Sequence, residues 1–524
     1  MTISAIIHFV TQHATRSNKL KLFFTLLALL TYKYRSHAIG TRRRPDLKEP
    51  KGTVPFFGHM FLMASMPSTD LYDYFERTYR ELGPVWSISL PGIGRMIQGD
   101  TPELLEHVLK TNFWAYHKGP HFTGSMRDVF GEGILSADGE SWKFQRKQAT
   151  HLFNVNAFRE YTSEVFNSEA QKVLNYLGKA ADAGDAVDFH AIMHAFTLDV
   201  FGSVSFGESF GCLDNIDGRV PFADAVGDLL GICSLRLVDP LWKIREAVTS
   251  TGKKARELKF VMRERIRKIV ERRRLEGVDG DKKDMLQLLL EATDDEGNPL
   301  TEDYLVDIIL TFTVGYQASK IMQDKEVAGR DTMAQSVAWM MYAMLRDGTD
   351  PSLMRKLVQE IDDVLGGELP TYETHKKQKY AEACFFETLR MYPPLPRNFK
   401  TCVQDDILPD GTKIYAGEMF TWSSYVMGRS EKLWGPDVKE FKPDRWLGRE
   451  KASSLSKFSS FHLGPRTCVG QGFAVLEALT IVGLVLQNFE LKLVEPGKVP
   501  AYGLGTTLAM RYGLPVRVTR RSRG

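Results

Sequence analysis

One of the five cysteines in this chain sits in a setting suited to a thiolate. Residues 461–470 read FHLGPRTCVG, with Cys468 near the end of the run. A buried thiolate protonates unless peptide N–H donors and close packing hold its charge. Gly464 and Gly470 permit a tight turn and close backbone approach to a porphyrin, and Phe461 can cover the sulfur from solvent. The stretch that follows, QGFAVLEALTIVGLVLQ, is an amphipathic helix whose positive end points at the sulfur. A thiolate held in this way donates electron density to haem iron and favours O–O cleavage, which imidazole does less well. Arg466 can pair with a haem propionate. The plainer reading of a lone cysteine is a small buried hydrophobe. Against it stands the pattern Phe-x-x-Gly-x-Arg-x-Cys-x-Gly, whose chance occurrence in such a chain is on the order of one in ten thousand.

This pattern resembles the haem-binding signature of the cytochrome P-450 superfamily, and four other stretches resemble that family too. Glu387 and Arg390, in ACFFETLRMYPPLP, lie on one face of an apolar helix and can form a buried ion pair. Glu-x-x-Arg spacing alone decides nothing, since Glu264–Arg267 and Glu271–Arg274 repeat it on a strongly charged helix. By the resemblance, Arg445 of FKPDRW completes the pair in a structural role. Trp142 and Arg146, in ESWKFQRKQ, resemble the Trp-x-x-x-Arg that reaches the haem propionates. Lys400 falls where relatives often carry a propionate-binding arginine; lysine keeps the charge but loses the bidentate geometry. AGRDTM, residues 328–333, resembles the oxygen-activating motif. There the Thr332 hydroxyl can hydrogen-bond dioxygen and hold a water, and Asp331 can relay protons. The implied cofactor is haem b, iron protoporphyrin IX, with Cys468 as axial ligand to the metal.

The sequence departs from the family before that motif. LVDIILTFTV (305–314) and AGRDTMAQSVAWM (328–340) would join into one apolar helix, but residues 315–327 separate them. Thirteen residues advance a helix by about 1,300°, roughly 220° beyond whole turns. They also bring Lys320, Gln323, Asp324, Lys325 and Glu326 toward a site that should be apolar. The favoured reading is a gene-model error, such as a short retained intron translated in frame. The other is a genuine insertion that loops out, which leaves the competence of this version of the chain open.

Within the superfamily the chain resembles the fungal and plant fatty-acid ω-hydroxylase branch. GEGILSADGESWKFQRKQAT, YPPLPRNFK and YVMGRSEKLWGPD carry that resemblance. It implies monooxygenation of a lipophilic substrate: RH, O₂, NADPH and a proton give ROH and water. The chain has no flavin or iron–sulfur segment, so the resemblance implies a separate NADPH–cytochrome P-450 reductase, with Lys143 and Lys147 among the residues expected at its docking face. Substrate contacts by resemblance would include Phe122, Leu395, Arg397, Asn398 and Leu504, for which ordinary core or loop roles are equally open. A hydroxylase of another lipid or secondary metabolite, and a haem protein inactivated by the insertion, remain alternatives.

These residues need a scaffold, and the pattern is mainly α-helical with a minor β-sheet region, the expected cytochrome P-450 fold. Helices are expected at Asp70 to Leu82, Thr101 to Leu109 and Thr251 to Glu276. The last has a thin apolar stripe at Leu258, Val261, Ile266, Ile269 and Val270 and reads as a solvated helix. Strand-like pieces appear at Val85 to Leu90, Gly94 to Gln98, Lys413 to Ala416 and Pro515 to Thr519. Residues 279–284 are polar and read as a loop. The chain divides into an N-terminal anchor with basic flank (1–44) and a haem-thiolate catalytic domain (45–524). Leu20 to Tyr32 is apolar and is followed by Lys33, Arg35 and Arg42-Arg43-Arg44. This reads as an uncleaved transmembrane anchor that leaves the domain cytosolic at the endoplasmic reticulum membrane, or as a helix lying on the lipid. With 68 basic and 65 acidic side chains, the charge is too balanced to argue for nucleic acid. The low, odd cysteine count without CxxC spacing argues against disulfides or zinc.

Overall fold

The computed structural model describes residues 16–154, 156–216, 218, 220–276, 284–294, 296–315, 332–448, 450–455, 457–502 and 507–522. Asp331, Leu504 and residues 316–327 lie outside them, as do 1–15 and most of the expected loop at 279–284.

Helices dominate. The first is α1 (Arg16–Lys33), and α2 (Leu71–Leu82) lies against the first hairpin. Next come α3 (Gly119–Phe130), α4 (Gly139–Asn154) and α5 (Asn156–Ala183). They are followed by α6 (Phe189–Phe206), α7 (Pro221–Arg236), α8 (Ser250–Glu276) and α9 (Glu302–Gly315). The last group is α10 (Thr332–Leu345), α11 (Pro351–Leu365), α12 (Lys379–Met391) and α13 (Gln471–Asn488). Local chemistry sets several ends. Asp188 starts α6 by accepting from His190 N and Ala191 N. Asp350 and Pro351 start α11, and Gly366 ends it in the left-handed region. The core helices α6, α10, α12 and α13 are buried on nearly every face, so they read as apolar all round rather than striped.

The sheet strands are β1 (Val85–Leu90), β2 (Gly94–Gly99), β3 (Tyr116–His117), β4 (Ala186–Asp188), β5 (Asn398–Cys402), β6 (Met419–Trp422), β7 (Phe489–Leu493) and β8 (Pro515–Arg520). One sheet has the order β1-β2-β6-β5-β3. The β1–β2 hairpin pairs Val85 with Gly99, β2 runs parallel to β6 from Met96↔Met419, and β5 pairs antiparallel through Asn398↔Trp422. The second sheet runs β4-β8-β7.

Two expectations need correction. The helix α8 does carry solvated charges, but it packs on α7 and α9, burying Met262, Ile266, Ile269, Val270 and Arg273; Val261 is exposed. Arg44 is not a free charge beside an anchor. Its guanidinium is buried and bonds Asp46 at 2.8 Å, Glu418 at 2.6 Å and the Lys413 carbonyl at 2.6 Å, which ties the N-terminal segment to the sheet. The N-terminal apolar stretch is short: Phe23–Lys33 is an apolar helix below spanning length, with Phe23, Phe24, Leu29 and Leu30 exposed. Among the described residues the helix long and apolar enough to cross a bilayer is α13, and it is a core helix, 72% buried.

Candidate active site

The Cys468 loop closes on itself. Cys468 N–H donates to the Phe461 carbonyl at 2.8 Å, Thr467 N–H donates to Gly464 at 3.0 Å, and α13 starts directly after Gly470. Gly464 has φ +66, and a Cβ there would lie 2.0 Å from the Leu109 carbonyl oxygen. Its glycine is therefore required by packing against the segment that follows β2. Gly470 has nothing within 4 Å of a would-be Cβ and borders open space.

That space is a cavity of about 310 Å³. The Cys468 sulfur faces into it, accessible from the cavity yet withdrawn from bulk water. Burial pushes the thiol's pKa up; the Gly470 N–H and the Arg146 charge work against that. Thr332, Met333 and Ser336 of α10 enter the same cavity, as do Thr311 and Phe312 of α9. Thr332, the first residue of α10, thus shares an enclosed space with Cys468, while Asp331 is outside the described residues. Phe461 lines the wall with its ring against Phe386 and Phe458, at centroid distances of 5.9 and 6.2 Å.

Basic side chains collect on one side. Arg466 lies over the Trp142 ring at 4.6 Å and donates to the Ala137 carbonyl and to Asp138. Arg146 donates to the Thr467 carbonyl at 2.6 Å. Lys400 is buried on β5, and its Nζ has no hydrogen-bond partner among the described residues. Burial, with Lys118 and Arg466 adding repulsion, drives its pKa far below the usual lysine range. Lys118, which the sequence did not single out, faces the cavity and is pushed down to about 8 by burial and by Arg466. Of the substrate residues, Leu395 and Asn398 line the cavity. Phe122 packs instead on Phe130 and Phe399, at 6.2 and 5.9 Å. Arg397 is turned into the sheet layer, over the Phe75 ring at 4.0 Å and 3.3 Å from both Gln98 Oε1 and Thr421 Oγ1. Leu504 is outside the described residues.

Behind the cysteine loop the Glu387–Arg390–Arg445 set is assembled. Arg390 donates twice to Glu387 at 2.8 Å and also holds the carbonyls of Gly428, Val438 and Glu440. Arg445 Nε lies 3.5 Å from Glu387, and Trp446 Nε1 and Lys442 N–H donate to it, each at 2.9 Å. Every oxygen of this buried carboxylate is used, and α12 is locked to the segment that leads into the cysteine loop.

Residues 48–510 match the family model described as Cytochrome P450. The chain belongs to the cytochrome P450 family. It is 33% identical to "Cytochrome P450 monooxygenase cyp1" of Mycosarcoma maydis, over 95% of this chain and 79% of the relative. It is 33% identical to "Cytochrome P450 94B3" of Arabidopsis thaliana (84% and 86% covered) and 31% identical to "Cytochrome P450 94A2" of Vicia sativa (80% and 81%). This cytochrome P450 is therefore a haem-dependent monooxygenase, of a family that uses O₂, a redox partner and lipophilic substrates. The residues present suit haem. A flat dicarboxylate needs an apolar slot with a thiol on one face and cations at one edge. The cavity supplies the slot and Cys468, Arg466 and Arg146 supply charge at its edge, and the buried Lys400 Nζ has no hydrogen-bond partner among the described residues.

Proposed function

We propose that this cytochrome P450 hydroxylates a long-chain fatty acid or alkyl chain near its terminus, with Cys468 as axial ligand to the haem iron and electrons from a separate NADPH-dependent reductase. The observation that carries the reading is one cavity lined by both Cys468 and Thr332, with the basic cluster at its edge. Bound haem supplies the oxygen-activating iron, whose thiolate ligand favours O–O cleavage. The chain's own residues do the rest. Phe461 and the loop peptides shield the sulfur; Arg466, Lys400, Trp142 and Arg146 hold the cofactor's edge. Thr332 places a hydroxyl for proton delivery at the oxygen-binding side, with Asp331 as its expected relay. Ile134, Leu135, Phe312, Met333, Leu389 and Leu395 give the cavity an apolar wall suited to an alkyl chain and able to exclude water.

The terminal position and the acyl chain rest on the branch resemblance. Turnover profiled against fatty acids of increasing chain length, with reductase present, tests them. A single product hydroxylated at or beside the methyl end is expected; turnover of sterols or aromatic metabolites with no fatty-acid turnover would favour the second reading, a hydroxylase of another lipid. A haem spectrum without any turnover would favour the inactive reading, and the same protein lacking residues 315–327 would then recover activity.

Attachment to the endoplasmic reticulum membrane is part of this reading. Besides the exposed face of α1, Val238, Leu241, Ile244 and Val248 are all at least 60% exposed, beside Lys243 and Arg245. Apolar side chains flanked by cations suit the interface of an anionic bilayer. Co-flotation with anionic vesicles is expected for the full chain. For the reductase, a surface hollow beside the cysteine loop is lined by Lys376 and Lys379 with Val469, Gln471 and Gly472, and Lys143 and Lys147 on α4 are the cations the resemblance assigns to docking. Charge reversal there should weaken reductase coupling, most strongly at low salt.

A further inference from the structure

Away from the Cys468 cavity, two histidines and an amide converge between α6 and α10. His190 and His194 stand four positions apart on α6, so they share one face of the helix. Their Nε2 atoms meet head to head at 3.0 Å, with the rings edge to face at 77°. Gln335 of α10 closes the group. Its Oε1 is 2.9 Å from His190 Nε2, and its Nε2 is 3.2 Å from His194 Nε2. The Met510 N–H donates to Gln335 Oε1 at 3.3 Å, which orients the amide.

Hydrogen bonds serve this arrangement poorly. A hydrogen on His190 Nε2 faces two acceptors, Gln335 Oε1 and His194 Nε2. The one lone pair of His194 Nε2 in turn faces two donors, His190 Nε2–H and the Gln335 amide. His194 then carries its own hydrogen on Nδ1, which is buried with no hydrogen bond among the described residues. A cation between the two Nε2 atoms would take both lone pairs instead. His-x-x-x-His on a helix is a spacing with which two imidazoles chelate a metal. Burial holds both rings neutral, which is the form that coordinates. Asp188, the N-cap of α6, places negative charge near His190. His190 is buried and His194 half-buried, so an ion has a side from which to enter.

We propose that His190 and His194 chelate a divalent late transition metal, Cu²⁺ ahead of Ni²⁺, that bridges α6 to α10. The spacing selects the metal. Two nitrogens 3.0 Å apart, each about 2.05 Å from one ion, subtend about 94°. A tetrahedral zinc site would need them about 3.3 Å apart. The smaller angle is the cis angle of a tetragonal ion, which suits Cu²⁺ or Ni²⁺. Among the described residues no third His, Cys, Asp or Glu completes the set. The third donor is Gln335 Oε1, brought onto the ion by a turn of the amide, and water fills the remaining positions. On binding, the His190 hydrogen moves from Nε2 to Nδ1, so the protein loses no proton. Gln335 lies one turn beyond Thr332, the first residue of α10, so the ion would tie α6 to the helix end that lines the Cys468 cavity.

The test titrates full-length holoprotein, first stripped of loosely held metal, with Cu²⁺ against a competing chelator. One tight equivalent per chain is expected, with Ni²⁺ bound more weakly and the thermal midpoint raised by either ion. X-ray absorption at the copper edge, which does not sense haem iron, should show two imidazole ligands and no sulfur. His190→Gln and His194→Gln should each weaken binding by about tenfold or more. Gln335→Glu, which exchanges a neutral oxygen for a carboxylate, should tighten it by a similar factor of about ten. That gain separates loss of a ligand from loss of the fold. Wild-type protein without a tight equivalent would overturn the proposal. So would sulfur ligation at the copper edge, binding unchanged when both histidines are replaced, or Gln335→Glu binding no tighter than wild type.

Discussion

Phe312 and Thr332 wall the same cavity, although twenty positions separate them in the sequence. On one continuous helix that separation puts two residues about 200° apart, on opposite faces. Without residues 315–327 they would be seven positions apart, about 20° short of two full turns, and Ser336 would join them on the same face. The faces of α9 and α10 therefore agree with an uninterrupted helix that lacks the extra residues. Protein without 315–327 is expected to bind haem at least as well as the full chain and to turn over faster with reductase. Loss of the reduced CO spectrum on deletion would show instead that the segment is an integral part of the fold. Transcript sequencing adds an independent check, since mature messages that always retain these codons contradict the intron reading.

The ion network behind the cysteine loop gives the second prediction. Glu387 accepts from Arg390, Lys442 N–H and Trp446, with Arg445 at 3.5 Å, and its side chain is fully buried. Glu387→Gln keeps the shape but leaves Arg390 buried without its counter-charge. Breaking one partner of a buried pair costs about 3–5 kcal/mol. The denaturant midpoint should fall accordingly, together with the fraction of purified protein that carries haem. A variant with normal stability and full haem content would refute a structural role for this set.

Cys468 supports a third. Cys468→Ser removes the soft ligand and leaves the loop hydrogen bond between residue 468 and Phe461 intact. The reduced CO spectrum should lose its thiolate band and monooxygenation should vanish, while the far-UV dichroism stays that of wild type. A retained thiolate band would mean another cysteine ligates; Cys384 and Cys402, both buried away from the cavity, are the ones to test next.

The sequence made the motif residues legible because each is defined by neighbours a few positions away. Cys468, Glu387 and Arg390 are of that kind, and Arg445 followed from the resemblance. Strands β1 and β2 were also visible, from β-branched and aromatic runs flanked by glycine and proline. Strands β5 and β6 were not. All four residues of β6 are buried, so period-two alternation, the usual strand signal, is absent. β5 directly follows a proline-rich stretch that reads as loop. Lys118 and Asp138 share this limit. The Asp138 carboxylate accepts both the Lys118 N–H and the Arg466 guanidinium, a tertiary contact that no local spacing announces. Arg44 shows the converse: three consecutive arginines suggested a topogenic signal, whereas Glu418, far along the chain, takes up one of them.

Acid stability gives the last prediction. His375 is buried, and its Nε2–H donates to Thr480 Oγ1 at 2.8 Å, because that hydroxyl already gives its own proton to the Leu476 carbonyl. Its Nδ1 is buried with no hydrogen bond among the described residues; the Thr371 backbone favours a second proton there, but burial outweighs it. Burial accordingly pushes its pKa down from 6.5 to about 4. His190 and His194, packed edge to face beside Gln335, are shifted the same way by burial. A histidine kept neutral in the fold but free to protonate when unfolded stabilises the protein above pH 6.5 and not below its folded pKa. The contribution of His375 should thus be lost as pH falls from about 6.5 towards 4, on the order of 3 kcal/mol in all. Denaturant titrations across that range should show stability falling with acid, and His375→Gln should flatten part of the slope. Equal slopes in the two proteins would mean that His375 is not the group taking up the proton.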